Sequence, residues 1–318
     1  MSGSPTMVDL AQEYLALRRQ LGYALHSPGK ALLAFARYAD SLGHRGPLTV
    51  DLAVRWAKLP QRARPDWWAR RLQIVRGFAQ HRSLFEPGTE IPPADLLGSY
   101  SHRSTPHIYS DAEVCALLRA AKDLGPAGGL RCHSYMTLFG LLISSGLRIS
   151  EALHLKRDEV DLHSGVLTVA LSKFRKSRLV PLHPSTTQAL KNYAKRRDRY
   201  CPQATARTFF INNRGASMGY SGVIGTFTDL RRQLGWTKNW EGRRPRLHDM
   251  RHTMAVRTLL RWFQKGADVD QKMLALSTYL GHVEVTDTYW YLTAVPELMA
   301  LTAARFQAYS RRHLRRGR

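Results

Sequence analysis

Cysteine is nearly absent from this chain. Cys115, Cys132 and Cys201 are its only three in 318 residues, far apart and never in a C-x-x-C pair. An odd, scattered set excludes a disulfide framework and a cysteine-rich zinc site. Acidic residues are also scarce, 24 Asp and Glu against 48 Lys and Arg. Long apolar runs are missing as well: the stretch from Met136 to Leu147 is broken by Thr137, Gly140, Ser144, Ser145 and Gly146 and is too short to span a bilayer. The opening residues, MSGSPTMVDL, have no basic stretch leading into an apolar one, so secretion is not expected and the reading is cytoplasmic.

The excess of cations is the dominant positive feature. A formal net charge of +24 and a pI near 10.6 point to a polyanionic partner. Residues 1–106 carry 14 basic and 8 acidic side chains, and 107–318 carry 34 and 16. Charge spread over the whole chain suits a protein that surrounds a nucleic-acid duplex better than one resting on a membrane, which would concentrate it on one amphipathic helix. With 44% hydrophobic residues the chain is globular, and its length suits two domains.

Helical periodicity dominates the first hundred residues. Leu10, Tyr14, Leu17 and Leu21 form a stripe ended by Gly22; Leu32, Phe35, Ala36 and Ala39 form a second. Thr49 caps a third helix ending near Pro60, and Trp68, Leu72, Val75 and Ala79 mark a fourth that also carries Arg70, Arg71 and Arg76. Four prolines between Phe85 and His107 mark a linker, restarting at a capping box, Ser110 to Glu113. Residues 86–106, taken as free chain, reach up to about 70 Å. Beyond it a buried helix covers Ser134 to Leu142, two strands cover Val166–Leu171 and Arg178–Leu182 around a basic turn, and helices return at Leu247–Phe263 and Met273–Leu280. The expected fold is mainly α with a small β-sheet (α+β): a helical domain over 1–95, a linker over 96–106 and a mixed domain over 107–318.

Four local patterns carry chemistry. Gly146-Leu-Arg148-Ile-Ser-Glu151 sets an arginine and a glutamate three apart on one helix face. Ser172-Lys173-Phe-Arg-Lys176-Ser-Arg178 places a flexible ammonium, able to donate a proton where a guanidinium cannot, at a strand end. His248-Asp-Met-Arg251-His252 pairs proton-transfer capacity with a fork matched to phosphate oxygens. One carboxylate, Asp249, between two histidines is a poor metal nuclease site without a second acidic cluster, so no metal is expected. The fourth pattern, Leu280-Gly281-His282 followed by Tyr289 and Tyr291, reads in isolation as packing.

Together, in this order, these patterns resemble the tyrosine recombinase (lambda-integrase-like) family, with a layout similar to its Xer-type members. Arg148 and Glu151 match its G-L-R-x-x-E motif, Lys173 its hairpin lysine eight residues before Pro181, His248 and Arg251 its H-x-x-R-H motif, and His282 with Tyr291 its L-G-H motif and the tyrosine nine residues on. The resemblance spans residues 107–300 closely and 7–95 loosely, where Arg70 to Phe78 look like part of a core-binding, SAM-like domain. It implies a site-specific DNA recombinase or integrase, of a kind that a transposon can encode, that forms a covalent 3′-phosphotyrosine and a Holliday junction with no cofactor. Catalytic roles then fall to Arg148, Lys173, His248, Arg251, His282 and Tyr291, with Glu151 orienting the site. Tyr289 is an alternative to Tyr291, and Lys176 to Lys173. DNA contacts are expected at Arg70, Arg71, Arg76, Lys176 and Arg178. The expected partners are double-stranded DNA, further copies of the chain as dimer to tetramer in the synapse, and accessory or sister recombinases. A helical stripe from Val295 to Tyr309 is expected to dock on a neighbouring protomer, and the two domains to close on DNA as a C-shaped clamp. A type IB topoisomerase and a catalytically silent DNA-binding regulator are the alternative readings.

Overall fold

The computed structural model describes residues 5–98, 105–170, 177–236 and 244–293. Its contacts divide the chain into two compact units, Met1–Ser104 and Thr105–Arg318.

The first unit holds α1 (Met7–Gln20), α2 (His26–Ser41), α3 (Val50–Lys58) and α4 (Pro65–Arg82). Thr6 and Asp9 form a capping box that starts α1, Thr49 caps α3, and Pro65 occupies the first turn of α4. The Asp40 carboxylate accepts from the amides of Met7 and Val8 at 2.9 and 3.0 Å, tying the start of α1 to the end of α2. Phe35, Trp56, Leu72, Val75 and Phe78 fill the core.

The helices stand where periodicity places them, but the buried face of α1 does not. Leu17 and Leu21 are 43% and 66% exposed, whereas Ala11, Tyr14 and Leu15 are buried. The reason is close approach. A Cβ on Gly29 of α2 would lie 3.4 Å from the Leu15 side chain, so the two helices meet at small residues that a count of large apolar ones passes over.

A second correction concerns the linker. The amide of Glu90 donates to the Leu48 carbonyl at 2.8 Å, its carboxylate accepts from the Val50 amide, and Arg76 Nε donates to the Pro92 carbonyl. Gln73 also donates to the carbonyl of Ala94. Residues from 86 to 94 are therefore fastened to the helical unit and add nothing to a free strap.

In the second unit α5 (Asp111–Lys122) starts at the Ser110–Glu113 capping box, and α6 (Arg131–Ser145) is buried on most of its surface. α7 (Ile149–His154) leads into an antiparallel sheet of β1 (Val160–Asp161), β2 (Val166–Val169) and β3 (Arg178–Pro181), in that order, with Val166 opposite Pro181 and Val169 opposite Arg178. There follow α8 (Pro184–Tyr200), α9 (Tyr220–Gln233), α10 (Asp249–Gln264), α11 (Val269–Leu280) and α12 (Thr286–Thr293). One core surrounds α6 and the sheet; a second, with Met254, Leu259, Met273, Leu280 and Tyr291, joins α10, α11 and α12. Lys173, Lys176 and the stripe from Val295 to Tyr309 lie outside the described residues. No described helix is long and apolar enough to cross a membrane.

Candidate active site

The site begins with two helix ends. α6 and α11 both stop at a glycine in the left-handed region, Gly146 (φ +64°) and Gly281 (φ +68°). Neither position has room for a side chain: a Cβ would meet Met254 Cε at 2.6 Å in the first case and Arg178 Nη1 at 2.7 Å in the second. Arg251, in the first turn of α10, ties the two ends together. Its Nη1 donates to the Gly146 carbonyl at 2.7 Å and its Nη2 to the Leu280 carbonyl at 2.6 Å. Two bonds leave other guanidinium donors for a ligand. Arg251 is almost wholly buried, which lowers its pKa to about 10, still a cation at neutral pH.

Arg148 caps α7. Its amide and its Nη1 donate to the two oxygens of Glu151 at 2.9 Å, and its Nη2 reaches the Gly281 carbonyl at 3.1 Å. Both arginines therefore touch the turn that presents His282. That histidine shares a 2.7 Å hydrogen bond between Nδ1 and Thr288 Oγ1, and its ring lies over Tyr291 with centroids 5.9 Å apart and planes at 24°. Desolvation, then the Arg251 and Arg148 charges, lower its pKa to about 4, so it is neutral at pH 7.

Tyr291 is 2% exposed, and Tyr289 is 41% exposed. Burial raises the Tyr291 phenol above its ordinary value, opposed by the charge and a hydrogen bond of Arg251. The Tyr291 ring also meets His252, 5.4 Å away, which in turn touches His248 and Trp290. His252 is nearly buried, and desolvation lowers its pKa to about 3. His248 stands at the start of α10 with part of its surface open; desolvation and then Arg251 hold it below the ordinary histidine value. Asp249 turns away to hold Arg246 at 2.9 Å. Among the described residues no cluster of three or more His, Cys, Asp or Glu side chains is placed to hold a metal.

The structure thus brings together Arg148, Glu151, His248, Arg251, His282 and Tyr291 from three of the four motif stretches. Arg178, expected on DNA, is corrected: its side chain is 8% exposed and spends its donors on Glu151 and the Tyr279 carbonyl. Of the other arginines read as DNA contacts, Arg71 donates to the Trp56 carbonyl and lies over that indole, and Arg76 holds Pro92; Arg70 is exposed. Thr288 was not marked by any motif. The inward Arg178 had a signal, because period two along β3 gives it the face of buried Val180.

Residues 110–297 match the phage integrase family. The chain is 42% identical over 299 residues to the integrase/recombinase-type protein y4rB of Sinorhizobium fredii, covering 92% of this chain and 95% of that one. It is 28% identical over 230 residues to the tyrosine recombinase XerC of Chlamydia caviae, covering 70% and 67%. In fold it is similar to the Tn1549 transposon integrase in complex with transposon right end DNA, with a TM-score of 0.69 at 17% identity over 96% of this chain and all of that one.

Proposed function

The chain belongs to the phage integrase family of tyrosine recombinases, enzymes that cut and rejoin DNA strands, and we propose that Tyr291 is its nucleophile in a site that works without a metal. The observation that carries this reading is the convergence on Tyr291 of the Arg251 cation and the His282 ring. Attack of the phenol oxygen on phosphorus forms a 3′-phosphotyrosine and expels the 5′-oxygen, and it places extra negative charge on the non-bridging oxygens. Arg148 and Arg251 are permanent cations at two points around that charge. His282 is neutral, and in the tautomer whose Nδ1 accepts from Thr288 its Nε2–H is left to donate to the phosphate. Each such donor is worth about 3 kcal/mol when it meets the transition state rather than the ground state.

Two protons must move. The phenol loses one, and His248, beside Arg251 on the same turn, assists its removal. The departing 5′-oxygen gains one, which is the role of Lys173, by the match of its place in the sequence to the family's lysine. The bond energy is kept in the phosphotyrosine, so a 5′-hydroxyl from a second duplex reverses the step and exchanges strands through a Holliday junction. Two to four copies of the chain assemble on the DNA for this, in the cytoplasm, alone or with sister recombinases. The helical unit contacts DNA through Arg70 and neighbouring cations, in addition to the contacts of the catalytic unit.

A nicked suicide duplex that loses its 5′-hydroxyl on cleavage tests the proposal. The full chain is expected to become covalently attached to the 3′ end in excess EDTA at the rate seen without it. Loss of attachment on chelation, restored by Mg²⁺ or Mn²⁺, overturns the metal-free mechanism.

A further inference from the structure

Glu151 is enclosed by guanidinium groups. Its side chain is 6% exposed, and its Oε1 accepts from both Arg148 Nη1 at 2.9 Å and Arg178 Nη1 at 3.0 Å. Its Oε2 accepts from Arg178 Nη2 and from the Arg148 amide, each at 2.9 Å. Desolvation pushes this carboxyl up, but the bonds and charges of Arg178 and Arg148 together hold it below the usual value, so it is an anion.

The two arginines divide the carboxylate unequally. Arg178 gives it a parallel two-pronged bond and is 8% exposed; Arg148 gives its side chain's single bond and is 24% exposed. Arg178 Nε also donates to the Tyr279 carbonyl at 2.8 Å, and its Nη1 lies 2.7 Å from where a Cβ of Gly281 would be. It is therefore fixed between β3, α7 and the end of α11, with its fork turned away from any ligand. Two guanidinium cations and one carboxylate leave one net positive charge, and only Arg148 is free to carry it outward.

We infer that Arg178 is a positioning residue for strand cleavage: by neutralising Glu151 it leaves the charge of Arg148 available to the scissile phosphate, while holding the turn that presents His282. Without it, Glu151 pairs with Arg148 alone, that cluster has no net charge, and Arg251 is left as the one uncompensated cation of the two arginines that face the phosphate. This rests on the recombinase mechanism above.

The test is single-turnover cleavage of the nicked duplex by the full chain, with duplex affinity measured alongside. Arg178→Met is expected to slow cleavage by about 100-fold or more, the scale on which transition-state charge stabilisation is lost, with affinity little changed. Adding Glu151→Gln removes the negative charge that cancels Arg148, so Arg178→Met/Glu151→Gln is expected to cleave about tenfold faster than Arg178→Met, a coupling that a merely structural arginine would not show. Arg178→Lys, which keeps the charge and is the milder change should the Met variant not fold, is expected to stay within about tenfold of the parent chain. A Met variant that cleaves normally, a double variant no faster than the Met variant, or a folded Lys variant that is inactive overturns the inference. A parent chain that forms no adduct overturns the mechanism instead.

Discussion

His252 and His282 are held neutral by their surroundings, and this has a measurable cost on the acid side. Both have pKa values lowered in the fold, to about 3 and about 4, from an ordinary value of 6.5. As pH falls below about 6.5 the unfolded chain takes up protons that the folded site refuses, so stability that is complete above that value declines down to about 4 for His282 and about 3 for His252. Glu151, whose pKa is also lowered in the fold, adds to the loss only below its ordinary value of 4.5. The melting temperature of the full chain, followed from pH 7.5 to 4.5, is expected to drop by about 5 °C or more, beginning near pH 6.5. A flat profile between pH 6.5 and 5 would show that these rings are not desolvated as described. That Arg148, Glu151, His248, Arg251, His282 and Tyr291 gather in one place was legible from the spacings of their motifs. The direction of each side chain was less so: Arg178 turns inward while Leu179 beside it is 67% exposed, the reverse of what polarity alone suggests.

Secondary structure was readable where a cap or a breaker is written in the sequence. Thr49, Ser110 and Gly281 mark ends that the structure keeps, because each satisfies free backbone groups or a left-handed turn locally. The two longer strands stand where their β-branched residues place them, with Val166–Val169 and Arg178–Pro181 paired. β1, only Val160 and Asp161, was not foreseen, since two residues carry no periodicity and exist as a strand only through pairing with β2. Helix faces were harder. The Leu17 and Leu21 stripe of α1 is exposed because packing is decided by the partner helix, which approaches at Gly29. Among the described residues, 86–98 form no helix or strand, as the prolines there signal, but irregular chain can still be fastened, as Glu90 and Pro92 are.

Each unit of the chain has its own core and its own excess of cations, net +6 before residue 105 and +18 after it. If both hold the duplex, the number of phosphates neutralised is shared between them, and affinity falls with salt at a slope near −0.9 per phosphate. A fragment of residues 105–318 is then expected to bind more weakly than the full chain and with a shallower slope. Arg70→Ala in the full chain is expected to lower that slope by about one. Titration of a labelled duplex across a salt series reads both. Equal affinity and equal slope for fragment and full chain would remove the helical unit from the DNA and with it the clamp.

In the proposed mechanism the buried Tyr291, and not its exposed neighbour Tyr289, attacks the phosphate. Covalent complex trapped on the nicked duplex, digested and analysed by peptide mass spectrometry, addresses it directly. The mass of the nucleotide remnant is expected on Tyr291, and Tyr291→Phe is expected to bind duplex with no adduct while Tyr289→Phe forms it normally. A remnant on Tyr289, or an adduct that survives Tyr291→Phe, would contradict the account.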